Sequence, residues 1–435
     1  MPPSIPLDDL VAASGGRLLR PTTVTSFSGA AVDSRQATSG CLFVALRGER
    51  VDGHRFVLEA AANGAVAALV EQPIETGEAG LAVVEVPDTL HALQELAAWW
   101  RGRSAVRVVG ITGSTGKTIA KEIVADVLGR TRKVLRNEGN LNSESGLPMT
   151  LLQLDADHEL AVHPTHLQRA GSIEAITRAK SELPQALPAD GLAVLNADDP
   201  RVAGMAALTA AAVRTYGLRA DAEVRADGVL SHGLAGTEFT LRAPWAERRL
   251  RSGSPGRHLV LHALAAIAVA ERFAVPMDEV EAALAAGSHA DHRMAIGQAE
   301  SGATLVDDSY NASPVSMAAA LDFLAETPLP TGRRRLAVLG DMLELGPDEE
   351  RLHREIGARA ASVADGLLVV GERGAWIGEA AAAAGLRDVT AVRDVDEAIE
   401  AVDRVLAPGP GDLVLVKASR GVELDRLVAA LEAAR

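Results

Sequence analysis

Nine consecutive residues, Gly110-Ile111-Thr112-Gly113-Ser114-Thr115-Gly116-Lys117-Thr118, place glycines, hydroxyls and one lysine where a backbone could close around phosphate. Glycine lets successive N–H groups turn toward an anion, and a helix starting after the loop adds partial positive charge from its N-terminus. In that setting Lys117 would reach the β- and γ-phosphates of a nucleotide, and the Thr118 hydroxyl would hold Mg2+. Gly113, Ser114, Thr115 and Gly116 would line the cradle. The spacing is GxxGxxGKT, with Ile111 standing where the common phosphate loop has its first glycine. Two further groups suit anionic or amide-bearing ligands. Arg35, in Asp33-Ser34-Arg35, offers a planar fork for a diphosphate or carboxylate. Asn140 and Asn142, in Asn140-Leu141-Asn142-Ser143, can each donate and accept hydrogen bonds.

Such groups need rigid elements to hold them. An apolar run at 106–111 enters the loop as a strand, and 118–128 leaves it as a helix, with Ile123, Val124, Val127 and Leu128 at helical spacing. Upstream, strands are expected at 41–46, 65–70 and 81–86, with helices at 56–63 and 89–100. Asp88 is the expected N-cap of the second helix, and Leu90, Leu93, Leu96 and Trp100 form its apolar face. Trp99 and Trp100 read as packing residues on that face, and 101–104 as a linker. The middle block continues through a strand at 191–196 and a helix at 259–272. The last block repeats strand then helix: strands at 304–308, 335–340, 366–371 and 412–417, and helices at 314–325, 349–362, 395–406 and 423–434. That rhythm predicts a doubly wound parallel sheet.

Composition narrows the class. A chain of 435 residues exceeds one ordinary core, so several domains are expected. Hydrophobic residues reach 48% while aromatics stay at 3%, which predicts aliphatic layers around buried parallel strands. A formal charge of −15 argues against a general nucleic-acid binder, so anionic ligands must be met by local cations. The single cysteine, Cys41, sits in the apolar run Cys41-Leu42-Phe43-Val44 and reads as a buried structural thiol in a reducing compartment. The N-terminus lacks a basic segment followed by an apolar one, and the longest apolar stretch, 259–270, is too short to span a bilayer. A cytoplasmic monomer that binds neither membrane nor nucleic acid is expected.

The GxxGxxGKT variant resembles the phosphate loop of the Mur ligases, and motifs along nearly the whole chain extend the resemblance. Asp33-Ser34-Arg35, Gly40-Cys41-Leu42-Phe43-Val44-Ala45-Leu46-Arg47-Gly48 and Asp52-Gly53-His54 resemble the family's N-terminal UDP-substrate motif, which implies Ser34 and Arg35 as ligand contacts. Asn140-Leu141-Asn142-Ser143-Glu144-Ser145-Gly146-Leu147-Pro148 resembles its substrate-facing loop. Lys180, in Ala179-Lys180-Ser181-Glu182, reads by spacing alone as a helix-surface lysine. The resemblance implies instead a lysine carbamylated by CO2, whose new oxygens ligate a second Mg2+; that chemistry requires a neutral amine and hence a partly buried lysine. His166 matches a family histidine near that metal, whereas His163 has no match and reads as solvated. Asn196, Arg293 and Tyr310 are implied on the nucleotide, and His262 stands where the family presents an asparagine to the base. In the last block, Asp307-Asp308-Ser309-Tyr310-Asn311-Ala312-Ser313-Pro314, Val338-Leu339-Gly340-Asp341-Met342-Leu343-Glu344-Leu345-Gly346 with His353, and Val416-Lys417-Ala418-Ser419-Arg420 resemble the branch that uses a D-alanyl-D-alanine amine, with Asn311 and Ser313 as substrate contacts.

The resemblance therefore implies three α/β domains, at 1–103, 104–288 and 289–435, and a ligase taking ATP, two Mg2+, a UDP-N-acetylmuramoyl-tripeptide and D-alanyl-D-alanine. Lys117, Lys180 and His166 would be its catalytic groups, and Thr118, His166 and Lys180 its metal ligands. One departure stands out. After Leu160-Ala161-Val162 the family continues with a Glu-x-Gly strand end, a helix and a further strand, and the chain passes almost directly to His163. A central sheet short of strands is expected, together with loss of the glutamate that holds the first Mg2+. An amide ligase using a different amine and a nucleotide-binding scaffold without ligase activity are the alternatives.

Overall fold

The computed structural model describes residues 3–48, 51–75, 80–137, 141, 143–164, 172–288 and 291–433. Within them the apolar runs become strands of five sheets, which fall in two compact units. The first unit comprises the described residues of Met1–Thr112 and Thr131–Gln168, and the second those of Gly113–Arg130 and Arg169–Arg435.

In the first unit, Arg17–Leu18, Ala82–Glu85, Ala67–Val70, Leu42–Val44 and Ala30–Ala31 form a five-stranded sheet in that order. Its last four strands are parallel, as the continuous apolar runs require. The helix Thr89–Gly102 is capped by Asp88, whose carboxylate accepts the His91 N–H at 2.9 Å, and it buries Leu93 and Leu96 against this sheet. The helix takes in Arg101 and Gly102, so the expected linker is shorter than its composition implied. Trp100 donates its indole N–H to the Leu154 carbonyl at 3.0 Å, and the same core includes Met149 and Leu152. Packing thus runs across position 103. Cys41 is buried, as its run requires.

A second, three-stranded parallel sheet orders Arg107–Ile111, Leu160–Pro164 and Val134–Arg136. The central strand is buried throughout, whereas Val108 on the neighbouring edge is 43% exposed. His163 is a correction. It lies buried within the central strand, its Nδ1 donating to the Pro164 carbonyl at 2.7 Å, because the strand continues past Val162 and carries the imidazole inside.

The second unit holds two larger sheets. Leu192–Asn196, Ala212–Gly217, Val224–Ser231, Thr237–Ala243 and Ala246–Ser252 follow one another, the first three parallel and the last three antiparallel. The helix Val260–Arg272 packs on this sheet and on the helix Lys117–Gly129; it is apolar on nearly every side because both sides are covered. The final sheet orders Ala295–Gln298, Thr304–Asp307, Leu413–Lys417, Arg335–Gly340, Gly366–Val370 and Val389–Val392. All neighbours are parallel except the first pair, an antiparallel edge that the strand–helix rhythm did not reveal. Helices cover both faces, giving one aliphatic core on each side.

Candidate active site

The phosphate-type loop lies where the boundary between the units crosses the chain, between Thr112 and Gly113. Gly116 is held at φ +75°, a left-handed conformation that costs glycine little, and the helix Lys117–Gly129 starts immediately after it. A methyl group on Gly116 would lie 2.4 Å from the His262 ring, so the turn and the imidazole leave room for each other only with glycine there. Thr118 is buried in the first turn of the helix. The Thr112 hydroxyl is buried with no hydrogen-bond partner among the described residues.

Three cations gather here. Lys117 donates from its ammonium to the Gly113 carbonyl at 2.8 Å, and burial together with the nearby Lys180 and Arg293 pushes its pKa down to about 8. Lys180, on the helix Ile173–Gln185, is partly buried, and that burial lowers its pKa as well. Burial also lowers the pKa of Arg293, against the opposing fields of Tyr310, Asp308 and Glu122. The Arg293 guanidinium lies 4.1 Å from the Tyr310 ring centroid, and Arg420 is 5.8 Å from the same ring. His262 is held neutral: burial and its neighbour His258 push its pKa down to about 4. Three cations beside a glycine cradle fit a polyphosphate.

The other expected contacts divide. Asn196 ends its strand and accepts the Asp198 N–H through its side-chain oxygen at 2.9 Å, which fixes the turn rather than offering the amide oxygen outward. Ser313 caps the helix Pro314–Glu326 in a capping box with Ser316. Asn311 is exposed, and its carbonyl accepts from Lys417. In the first unit Ser34 is buried, and Arg35 is 81% exposed and paired with Asp33 at 2.6 Å, which offsets its charge. Asn140, Asn142 and His166 lie outside the described residues.

Two groups escaped the sequence reading. Lys121 is completely buried and pairs with Glu122 at 2.5 Å, one turn into the loop helix. Lys417, within the motif Val416-Lys417-Ala418-Ser419-Arg420, is a buried ammonium whose signal was its place at the end of the apolar run Leu413-Val414-Leu415-Val416.

Three domain models of one family match the chain: the Mur ligase family catalytic domain at 26–101, the Mur ligase middle domain at 160–270 and the Mur ligase glutamate ligase domain at 292–420. The chain belongs to the Mur ligase family, an α/β architecture of three domains. Within that family it is 35% identical to the UDP-N-acetylmuramoyl-tripeptide–D-alanyl-D-alanine ligase of Escherichia coli (strain K12), with 92% of each chain covered. That alignment runs over 434 positions yet takes in only 92% of this chain, so the relative carries residues that this chain lacks. The fold matches MurF from Acinetobacter baumannii with a TM-score of 0.84 at 28% identity over 99% of both chains. It also matches the MurF ligase of Thermotoga maritima in complex with ADP, with a TM-score of 0.78 at 25% identity over 93% of this chain and 97% of that one.

Proposed function

We propose that this chain is an ATP-dependent ligase that adds D-alanyl-D-alanine to a UDP-N-acetylmuramoyl-tripeptide. The observation that carries the reading is the convergence of Lys117, Lys180 and Arg293 at the start of the loop helix, in a chain whose relatives are named for this reaction. ATP passes its γ-phosphoryl group to the terminal carboxylate of the tripeptide, giving an acyl phosphate and ADP. The amine of D-alanyl-D-alanine attacks the acyl carbon, the C–N bond forms, and the C–O bond to phosphate breaks with loss of the amine proton. Lys117 and Arg293 offset the charge on the transferring group from fixed positions, which lowers the barrier because no solvent must reorganise. Gly113, Ser114, Thr115 and Gly116 turn their N–H groups to the phosphates, and His262, Asn196 and Tyr310 bound the nucleoside. Ser34, Arg35, Asn140 and Asn142 serve the UDP-linked substrate, and Asn311 and Ser313 the incoming dipeptide.

Mg2+ would be held by the Thr118 hydroxyl and phosphate oxygens, with His166 and a carbamylated Lys180 at a second position, and it supplies charge neutralisation. The lowered pKa of Lys180 supports carbamylation, since CO2 reacts with the neutral amine. A 13C-bicarbonate carbamate signal that disappears in Lys180→Ala is expected; its absence from active protein would remove the modified lysine from the mechanism. The domains are taken as 1–103, 104–288 and 289–435, and the protein as a cytoplasmic monomer; among the described residues no helix is long and apolar enough to cross a membrane.

The test is phosphate release from ATP with the UDP-linked tripeptide and a panel of amines. Stimulation by D-alanyl-D-alanine above single amino acids is expected. Stimulation by another amine alone would reassign the substrate, and ATP binding without substrate-dependent turnover would leave a nucleotide-binding scaffold, the reading that a shortened central sheet favours.

A further inference from the structure

We infer that Lys417 is a positioning residue for the nucleotide site, acting through Asp308 on Arg293 and Tyr310. Lys417 ends a strand whose other residues are buried and aliphatic, and only 2% of its side chain is exposed. Its ammonium donates to Asp308 Oδ2 at 2.5 Å and to the Asn311 carbonyl at 2.9 Å. The other Asp308 oxygen accepts the Met294 N–H at 3.3 Å, and the Asp308 N–H donates to the Val416 carbonyl at 2.9 Å. One carboxylate therefore ties the strand Leu413–Lys417 to the backbone directly after Arg293. On the other side of Arg293, the His292 carbonyl accepts the Tyr310 N–H at 3.1 Å, and the His292 ring meets Asp307 Oδ2 at 2.6 Å.

The backbone between these ties is strained. His292 and Met294 have φ of 57° and 53°, left-handed values that side-chain-bearing residues rarely adopt. Arg293 is thus presented from between two left-handed residues, its guanidinium over the Tyr310 ring. Stability alone does not call for this arrangement. A buried ion pair is commonly matched or bettered by well-packed aliphatic side chains, and Lys417 follows four of them. A lysine here instead fixes the geometry of a segment that would otherwise relax. The inference rests on the reading of Arg293 as a nucleotide contact.

The test is a double-mutant cycle in the full chain, with ADP affinity measured by calorimetry and folding followed by thermal melting. Lys417→Met, which keeps the length and removes the charge, is expected to weaken ADP binding about tenfold, the scale of a small misplacement of a binding group. Lys417→Arg, able to reach the same two oxygens, recovers most of that loss. If Lys417 acts through Arg293, adding Lys417→Met to Arg293→Ala changes affinity by less than about twofold. Unchanged affinity in Lys417→Met, or losses that multiply in the double variant, overturns the inference. Should Lys417→Met fail to fold, the near-isosteric Asp308→Asn replaces it in the same cycle. An Arg293→Ala variant with normal ADP affinity also overturns it, and leaves the ligase reading to be judged by D-alanyl-D-alanine-dependent phosphate release.

Discussion

Lys117 is held in a state that the folded chain by itself disfavours. Burial and two neighbouring cations lower its pKa to about 8, and its ammonium donates to the Gly113 carbonyl at 2.8 Å. An anion placed beside it relieves that cost, which is how a binding group is kept ready for phosphate. Lys117→Ala is therefore expected to melt at the wild-type temperature or above, while phosphate release falls at least about 100-fold, the scale of one lost transition-state contact. Near-normal turnover would remove the loop from the mechanism. His262 gives a pH prediction of defined sign. Its folded pKa of about 4 lies below the ordinary histidine value of 6.5, so the unfolded chain takes up its proton first as pH falls. The stability tied to neutral His262 is complete above about pH 6.5 and lost as pH drops toward 4. Melting curves across that window should fall more steeply for wild type than for His262→Asn; equal slopes would show the imidazole charging freely in the native protein. The loop itself was legible in the sequence, because glycines, Lys117 and Thr118 are contiguous. The approach of Lys180 and Arg293 to it was implied only by family resemblance, since each lies far along the chain.

At the scale of elements, the last sheet shows how a helix pair supports a loop. His353, on the helix Glu349–Ala361, is fully buried; its Nε2 accepts the Met342 N–H at 2.9 Å and its Nδ1 donates to the Glu349 carbonyl at 2.6 Å. That fixes the tautomer and holds the turn leaving the strand Arg335–Gly340. The helix sits close because Gly357 faces the neighbouring helix Gly374–Ala383, where an added methyl group would lie 2.2 Å from the Ile377 carbonyl oxygen. Gly357→Ala must push the pair apart, and a destabilisation of roughly 1–3 kcal/mol is expected in urea titrations. A loss well under that range would mean the helices slide without cost. The helix start at Asp88 was legible, since it puts a capping side chain just ahead of an apolar stripe, whereas Ser313, read as a substrate contact, is the cap of its helix. The antiparallel strands at 224–252 and the edge strand Ala295–Gln298 were not read, because their pairing depends on neighbours distant in sequence.

For the whole molecule, the strand that carries the phosphate loop is less covered than the strand Leu413–Lys417 of the last sheet. The strand Arg107–Ile111, which leads into the phosphate loop, pairs with Leu160–Pro164, and half-exposed Val108 lies on it. Parallel strands are ordinarily covered on both faces, so the exposed and half-exposed residues of this strand leave the loop on a less buried support. Amide exchange at 107–111 is expected to run at least about 100-fold faster than in the strand Leu413–Lys417, which is buried and paired on both sides. Turnover well below that of the Escherichia coli relative, assayed side by side, is the corresponding functional outcome. Equal protection of the two strands together with equal turnover would show the support to be as firm as in the relatives.

The sequence by itself determined the α/β class, the phosphate loop and the order of the last block. Each of these is written in contiguous residues, as a glycine spacing or an apolar period. Only the tertiary structure decided that Lys117, Lys180 and Arg293 share one field, that His262 lies against Gly116, and that Lys417 reaches Asp308. It also decided that His163 is buried and that the first core recruits Met149 and Leu152. Those outcomes depend on which faces meet once strands far apart in the chain have paired. Burial and charge coupling are properties of that meeting, and no local pattern encodes them.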